Sequence, residues 1–354
     1  MSMDLTGITN RNEYYTNHYF SSVFEENASD TISKWRAMAK DNEEIRTPWS
    51  LLRDAAKQYY PIHDRFLRSR LDTQTIVNIR SLADVYLSAL GYPEASPEWI
   101  DVDDTTRVPV YLELKKPNGA PAVWVLLAAS DDKGAAILDK YCFSVQDIGE
   151  EGPNQIPDDC MTRVTNEELV TKVFFGQNEP PRFIVLMGMN QIALLDRNKW
   201  NEKRYLQFEL EDIFSRREES TLQAMAVLLH RNSLFPEEGT ALLDELDANS
   251  HKHASGVSQD LKYALRECIE LLGNEVLYDM ANRQGRDLNA EPVDAGQLTI
   301  ECLRYMYRML FVLFIEARPE LGYAPIKAQV YLTGYSLESL RDIADNIRDD
   351  VAEV

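Results

Sequence analysis

Between residues 99 and 210 the apolar residues of this chain recur with the period of β-strands, whereas before residue 91 and after residue 222 they recur with the period of helices. One α/β nucleus with helices on either side of it in sequence satisfies that order. Within the strand-like region, residues 99–103, 108–114 and 122–129 are expected strands, and Pro117, Asn118 and Gly119 supply the turn between the second and third. Strand character returns at residues 182–188, 190–196 and 204–210. Residues 147–159 are acidic and carry glycine and proline, the composition of a loop.

The clearest helix is expected over residues 75–91, where Ile76, Ile79, Leu82, Ala83, Tyr86, Leu87 and Leu90 form one stripe and Gly91 suits the C-cap. Tyr14, Tyr15, Tyr19, Phe20 and Phe24 are spaced as the core side of an N-terminal helix, and a second helical stretch around Trp35, Trp49, Leu51 and Leu52 is interrupted at Pro48. Helical periodicity marks residues 222–229, 257–280 and 299–316, with a polar break at 247–258 expected to be an exposed loop. The chain thus divides into a helical part over residues 1–92 that packs on the sheet, a sheet core over 93–215 and a helical connector over 216–354.

Asp and Glu number 58 against 37 Lys and Arg, a net charge of -21. Such a surface repels nucleic acid, so any DNA contact has to come from a local basic patch or a partner. The most basic patch is Arg65, Arg68 and Arg70, with Arg80 nearby; it reads either as phosphate contacts or as a surface ion-pair network. Cys142, Cys160, Cys268 and Cys302 lack zinc-type spacing, and His251 and His253 fall in the polar break. The opening residues lack a signal-peptide pattern and the longest apolar run, 309–315, is too short for a membrane span. The expectation is a soluble, reduced, cytoplasmic protein without a membrane partner.

The segment that carries chemistry is residues 107–116, RVPVYLELKK. In a strand Glu113 and Lys115 emerge on one side, and Lys116 on the other. Asp101, Asp103 and Asp104 lie just upstream. Two carboxylates and an ammonium group are what is needed to hold a divalent cation beside a phosphodiester. Asp104 or Asp103, with Glu113, is expected to ligate Mg2+ while Lys115 orients or activates the attacking water. The plainer reading is a charged pair on the solvent side of an amphipathic strand. Pro109 inside that strand favours an edge position.

Three further segments bear on family. Residues 10–15 (NRNEYY), residues 183–196 with 205–210, and residues 303–318 with 331–337 together resemble the N-terminal part of type IIG restriction–modification enzymes. The resemblance implies a PD-(D/E)XK-like mixed sheet flanked by helices, followed by an all-helical connector. It implies Mg2+-dependent cleavage of double-stranded DNA, with Glu113, Lys115 and Asp104 catalytic, Asp103, Asp104 and Glu113 at the metal, and Arg65, Arg68 and Arg70 on the DNA. The partner it implies is an adenine-N6 DNA methyltransferase domain or subunit, which would hold the S-adenosylmethionine. This chain contains neither that cofactor's glycine-rich loop nor the Asn/Asp-Pro-Pro-aromatic motif; Pro180 and Pro181 stand between Glu179 and Arg182. A second expectation is a non-catalytic scaffold with a degenerate nuclease fold in a phage-defence methyltransferase system.

Overall fold

A computed structural model describes residues 3–42, 44–146, 156, 160–318, 322–326, 328–337, 339 and 340. It divides into two compact units, Met1–Ala254 and Ser255–Val354. The acidic segment expected as a loop at 147–159 lies, Ile156 apart, outside the described residues.

The first unit is mixed α/β. Its strands are β1 (Ile8–Arg11), β2 (Glu98–Asp103), β3 (Thr106–Lys115), β4 (Pro121–Ala129), β5 (Tyr141–Cys142), β6 (Phe183–Met187), β7 (Gln191–Asp196) and β8 (Tyr205–Glu209). Its helices are α1 (Asn17–Ser22), α2 (Phe24–Asp41), α3 (Pro48–Arg68), α4 (Thr73–Ala89), α5 (Asn166–Gly176), α6 (Leu210–Arg216), α7 (Glu219–Leu229) and α8 (Arg231–Leu234). Helix α9 (Leu242–Tyr278) contains the boundary between the units.

The sheet runs β1-β8-β7-β6-β4-β3-β2, with β5 pairing on β4. Every pair along that path is antiparallel except β4 with β6, which are parallel. A parallel pair needs a crossover, and α5 lies within the connection between these two strands. Both faces of the sheet are covered. Val123, Val125 and Leu127 of β4 join a core with residues of α2, α3, α4 and α7. Trp124, Leu126 and Ala128 join a second core with Leu169, Val170, Val173 and Phe174 of α5. Burial on both faces explains the unbroken apolar run of β4.

Strand β3 departs from simple alternation. Val110 pairs with Leu126 and Leu112 with Val125, so Tyr111 is an inserted residue. Upstream of this bulge Val108 and Val110 face the α5 side, and downstream Leu112 and Leu114 face the other core. Glu113, opposite Trp124, is thereby turned to the α5 side.

Three local expectations are corrected. Pro48 starts α3 rather than interrupting a helix, because the first helical position needs no N–H. Strand β3 is interior, between β2 and β4; Pro109 is tolerated because the pairing with β4 begins at Val110. Residues 247–258 continue α9 instead of forming a loop. Leu243 and Leu246, in the turns of α9 just before them, are buried, and the Ser250 hydroxyl accepts from the Thr16 N–H at 3.0 Å. The aromatic cluster of Tyr14, Tyr15, Tyr19, Phe20 and Phe24 is core, as its spacing suggests.

Gly91 follows α4 with φ +75°, and a Cβ there would stand 2.7 Å from Nε2 of His230. His230 is buried, and its Nδ1 accepts from the Asn232 N–H at 3.1 Å. Burial, and then the Arg231 charge, push its pKa down to about 4. Unfolded, the imidazole titrates near its ordinary value, so between pH 6.5 and 4 the unfolded chain binds the extra proton. The associated stability is complete above about pH 6.5 and is lost as pH falls towards 4. Urea denaturation should show this group contributing about 2–3 kcal/mol of loss between about pH 7 and 4.5. The His230→Asn variant, which keeps a helix-capping acceptor, should lack that component; equal pH slopes for both proteins would refute the assignment.

In the second unit α10 (Ala295–Glu316) is capped by Asp294, which accepts from Gly296 N at 2.8 Å, and α11 (Gln329–Gly334) follows. Glu316 holds the Tyr331 hydroxyl at 2.8 Å and the Ser336 hydroxyl at 3.0 Å. Cys302 is buried, but Leu303, Tyr307, Phe311 and Phe314 of α10 are exposed. Among the described residues no helix is long and apolar enough to cross a membrane.

Candidate active site

The hairpin of β2 and β3 decides which of the expected site residues meet. Asp103 pairs with Thr106 beside the turn, whereas Glu113 lies seven residues along β3 from Thr106. At about 3.3 Å per residue that is roughly 20 Å. Asp103 and Asp104 therefore do not converge with Glu113, which corrects the expected trio. Asp103 organises its own turn instead, accepting from the Thr105 N–H at 2.8 Å and the Thr105 hydroxyl at 2.7 Å. Those hydrogen bonds hold its carboxyl below the usual range.

Glu113 and Lys115 do come together. The Lys115 Nζ lies 3.0 Å from Glu113 Oε2, while Trp124 Nε1 donates to Glu113 Oε1 at 2.9 Å. The Glu113 side chain is 9% exposed and that of Lys115 57%. A hydrogen bond from the ammonium and the carboxylate's charge raise the Lys115 pKa, and Glu98 adds to the effect. Lys115 is thus a fixed cation at the mouth, with Glu113 beneath it.

Glu98 is the acid missing from the sequence reading. It opens β2 directly after Pro97, pairs with Val110, and is exposed. Glu98, Glu113 and Lys115 line one cleft of about 460 Å3, together with Asp101 and with Gln177 and Glu179 beyond α5. The signal that could have found it is an acid at the head of the strand that pairs with the Glu113 strand.

Arg65 and Arg68 end α3 and Arg70 follows; all three are exposed and without an ion pair among the described residues. The Lys133 ammonium donates to the Leu67 carbonyl at 2.7 Å, so this patch adjoins the loop after β4. Lys115 pairs with Pro121, at the other end of β4. The arginines and the cleft consequently occupy opposite ends of that strand.

Chemically, the cleft offers hard carboxylate oxygens. Mg2+ is commonly held by one or two carboxylates plus substrate phosphates, and Glu98 and Glu113 are two carboxylates of this cleft on adjoining strands. An all-protein cage does not fit: among the described residues no group of three or more His, Cys, Asp or Glu gathers for a metal. His251 lies on α9, 3.7 Å from Asp247. Away from the cleft, Lys140 is 4% exposed, and burial lowers its pKa despite the Glu209 and Asp132 charges. Comparison with protein-family models, curated proteins and solved structures gives no match to this chain.

Proposed function

We propose that the first unit is a PD-(D/E)XK-like nuclease domain of a type IIG-like restriction–modification or phage-defence system, acting on double-stranded DNA in the cytoplasm. The observation that carries this reading is the sharing of one cleft by Glu98 and Glu113, from adjoining strands, with Lys115 held on Glu113. Glu98 and Glu113 would hold Mg2+, which when bound neutralises charge on a phosphate oxygen. Lys115 orients the attacking water and offsets negative charge as it develops. The overall charge of -21 keeps affinity for DNA low in this chain alone.

The partner in this reading is an adenine-N6 DNA methyltransferase domain or subunit, which carries the S-adenosylmethionine. Large exposed apolar side chains on α10, such as Tyr307 at 70%, offer it a docking face. The test is incubation of the full chain with supercoiled DNA and Mg2+ or Mn2+. Nicking that EDTA abolishes is the expected result. No cleavage, even with the methyltransferase joined, would end the hydrolytic reading.

One observation favours the second reading, a non-catalytic scaffold. Both oxygens of Glu113 already have partners within the chain, Trp124 and Lys115. A carboxylate has about four acceptor sites, so metal binding keeps room, but the same contacts serve a purely structural pair. The scaffold predicts intact folding and methyltransferase association without nicking.

A further inference from the structure

A second cavity, of about 530 Å3, lies beside the β2–β3 hairpin turn. Its lining includes Thr105, Thr106, Arg107, Thr162, Arg163 and Lys172, and among the described residues no lining residue is acidic. Three cations stand around this one cavity; Asp101 and Glu168 pair with Arg107 and Lys172 from outside its described lining, and Arg163 has no such partner among the described residues. Cations gathered around a concave wall attract anions.

The cations are held in place differently. Arg107 lies over the Trp99 ring at 5.0 Å, with Asp101 on its Nε at 3.2 Å. Lys172 is tied to Glu168 at 3.3 Å and donates to the Thr106 hydroxyl at 3.4 Å. Thr106 is itself 6% exposed. Arg163 is exposed and has no ion pair among the described residues. Planar guanidinium groups, an ammonium and hydroxyl donors are the set that recognises phosphate, and the volume falls in the range of small-ligand sites.

We propose that this cavity binds a phosphate group, at a site distinct from the Glu113 cleft. The phosphate is carried either by a small free ligand or by a DNA backbone, and the experiment separates the two. The full chain, kept in EDTA so that cleavage plays no part, is titrated with inorganic phosphate and adenosine monophosphate by calorimetry, and with a labelled duplex by fluorescence anisotropy. Arg163→Ala and Lys172→Ala should each weaken the bound probe about tenfold or more. Arg163→Glu, a surface change outside any packed core, should abolish binding while the thermal transition stays in place. Saturable binding of the small anions assigns a free ligand. Loss confined to the duplex, with the salt slope reduced by about one per cation removed, assigns backbone contact. No probe binding, or binding unchanged in all three variants, overturns the proposal.

Discussion

Under the proposed nuclease function, Glu98→Gln should remove metal-dependent cleavage, lowering its rate by about 10²–10⁴, whereas Asp103→Asn and Asp104→Asn should leave it unchanged. A metal clamp contributes several kcal/mol of transition-state charge stabilisation, and each ~1.4 kcal/mol is a factor of ten in rate. Glu98 is exposed at the head of β2, so its amide disturbs no packing. Glu113→Gln should be as damaging, and Lys115→Met should cost activity without weakening metal binding. Rates from nicking assays, with Mn2+ affinity measured in parallel, separate these roles. Equal losses for Glu98 and Asp104 variants would show that the hairpin tip, not the cleft, hosts the chemistry.

That contrast also shows how far the sequence reaches. The strands at 99–103, 108–114 and 122–129 are legible because alternation, the short apolar run of the third and the Pro117–Asn118–Gly119 turn are local signals. The bulge at Tyr111 is not. Val108, Val110, Leu112 and Leu114 alternate without a fault, and only the two cores divide them between opposite faces. The Glu113–Lys115 pair is legible since both residues lie beyond the bulge, where spacing of two keeps them on one side. The third acid is not, because a hairpin sends sequence neighbours of β3 to its far end and brings back Glu98, fifteen residues upstream. Residues 247–258 mislead for a related reason. Their polar side chains look solvent-bound, yet Ser250 and Asn249 have partners on the N-terminal segment, Thr16 and Asn27. Tertiary contacts of this kind outweigh local composition.

The largest stability effect should come from Arg182, at the start of β6. Its guanidinium spans two carboxylates, Asp196 Oδ2 at 3.2 Å and Asp244 Oδ1 at 2.6 Å, and lies over the Phe183 ring at 4.8 Å. The two carboxylates offset the burial of the guanidinium and hold its pKa above the usual arginine value. The Asp196 side chain is 2% exposed, and it also accepts from the Asn198 N–H at 2.9 Å. The group therefore joins the start of β6, the end of β7 and the first turn of α9. Truncating the arginine leaves a buried carboxylate with one backbone donor, which typically costs about 3–5 kcal/mol. Arg182→Ala should accordingly lose that much in urea denaturation at neutral pH. The penalty belongs to the orphaned charge rather than to the pair, so a double Arg182→Met, Asp196→Leu variant should recover most of it. If the double variant is as unstable as Arg182→Ala, the loss lies in the link to Asp244 or in the Phe183 stacking. Asp244→Ala discriminates the two, because it removes the α9 contact while Arg182 still covers Asp196 and the ring.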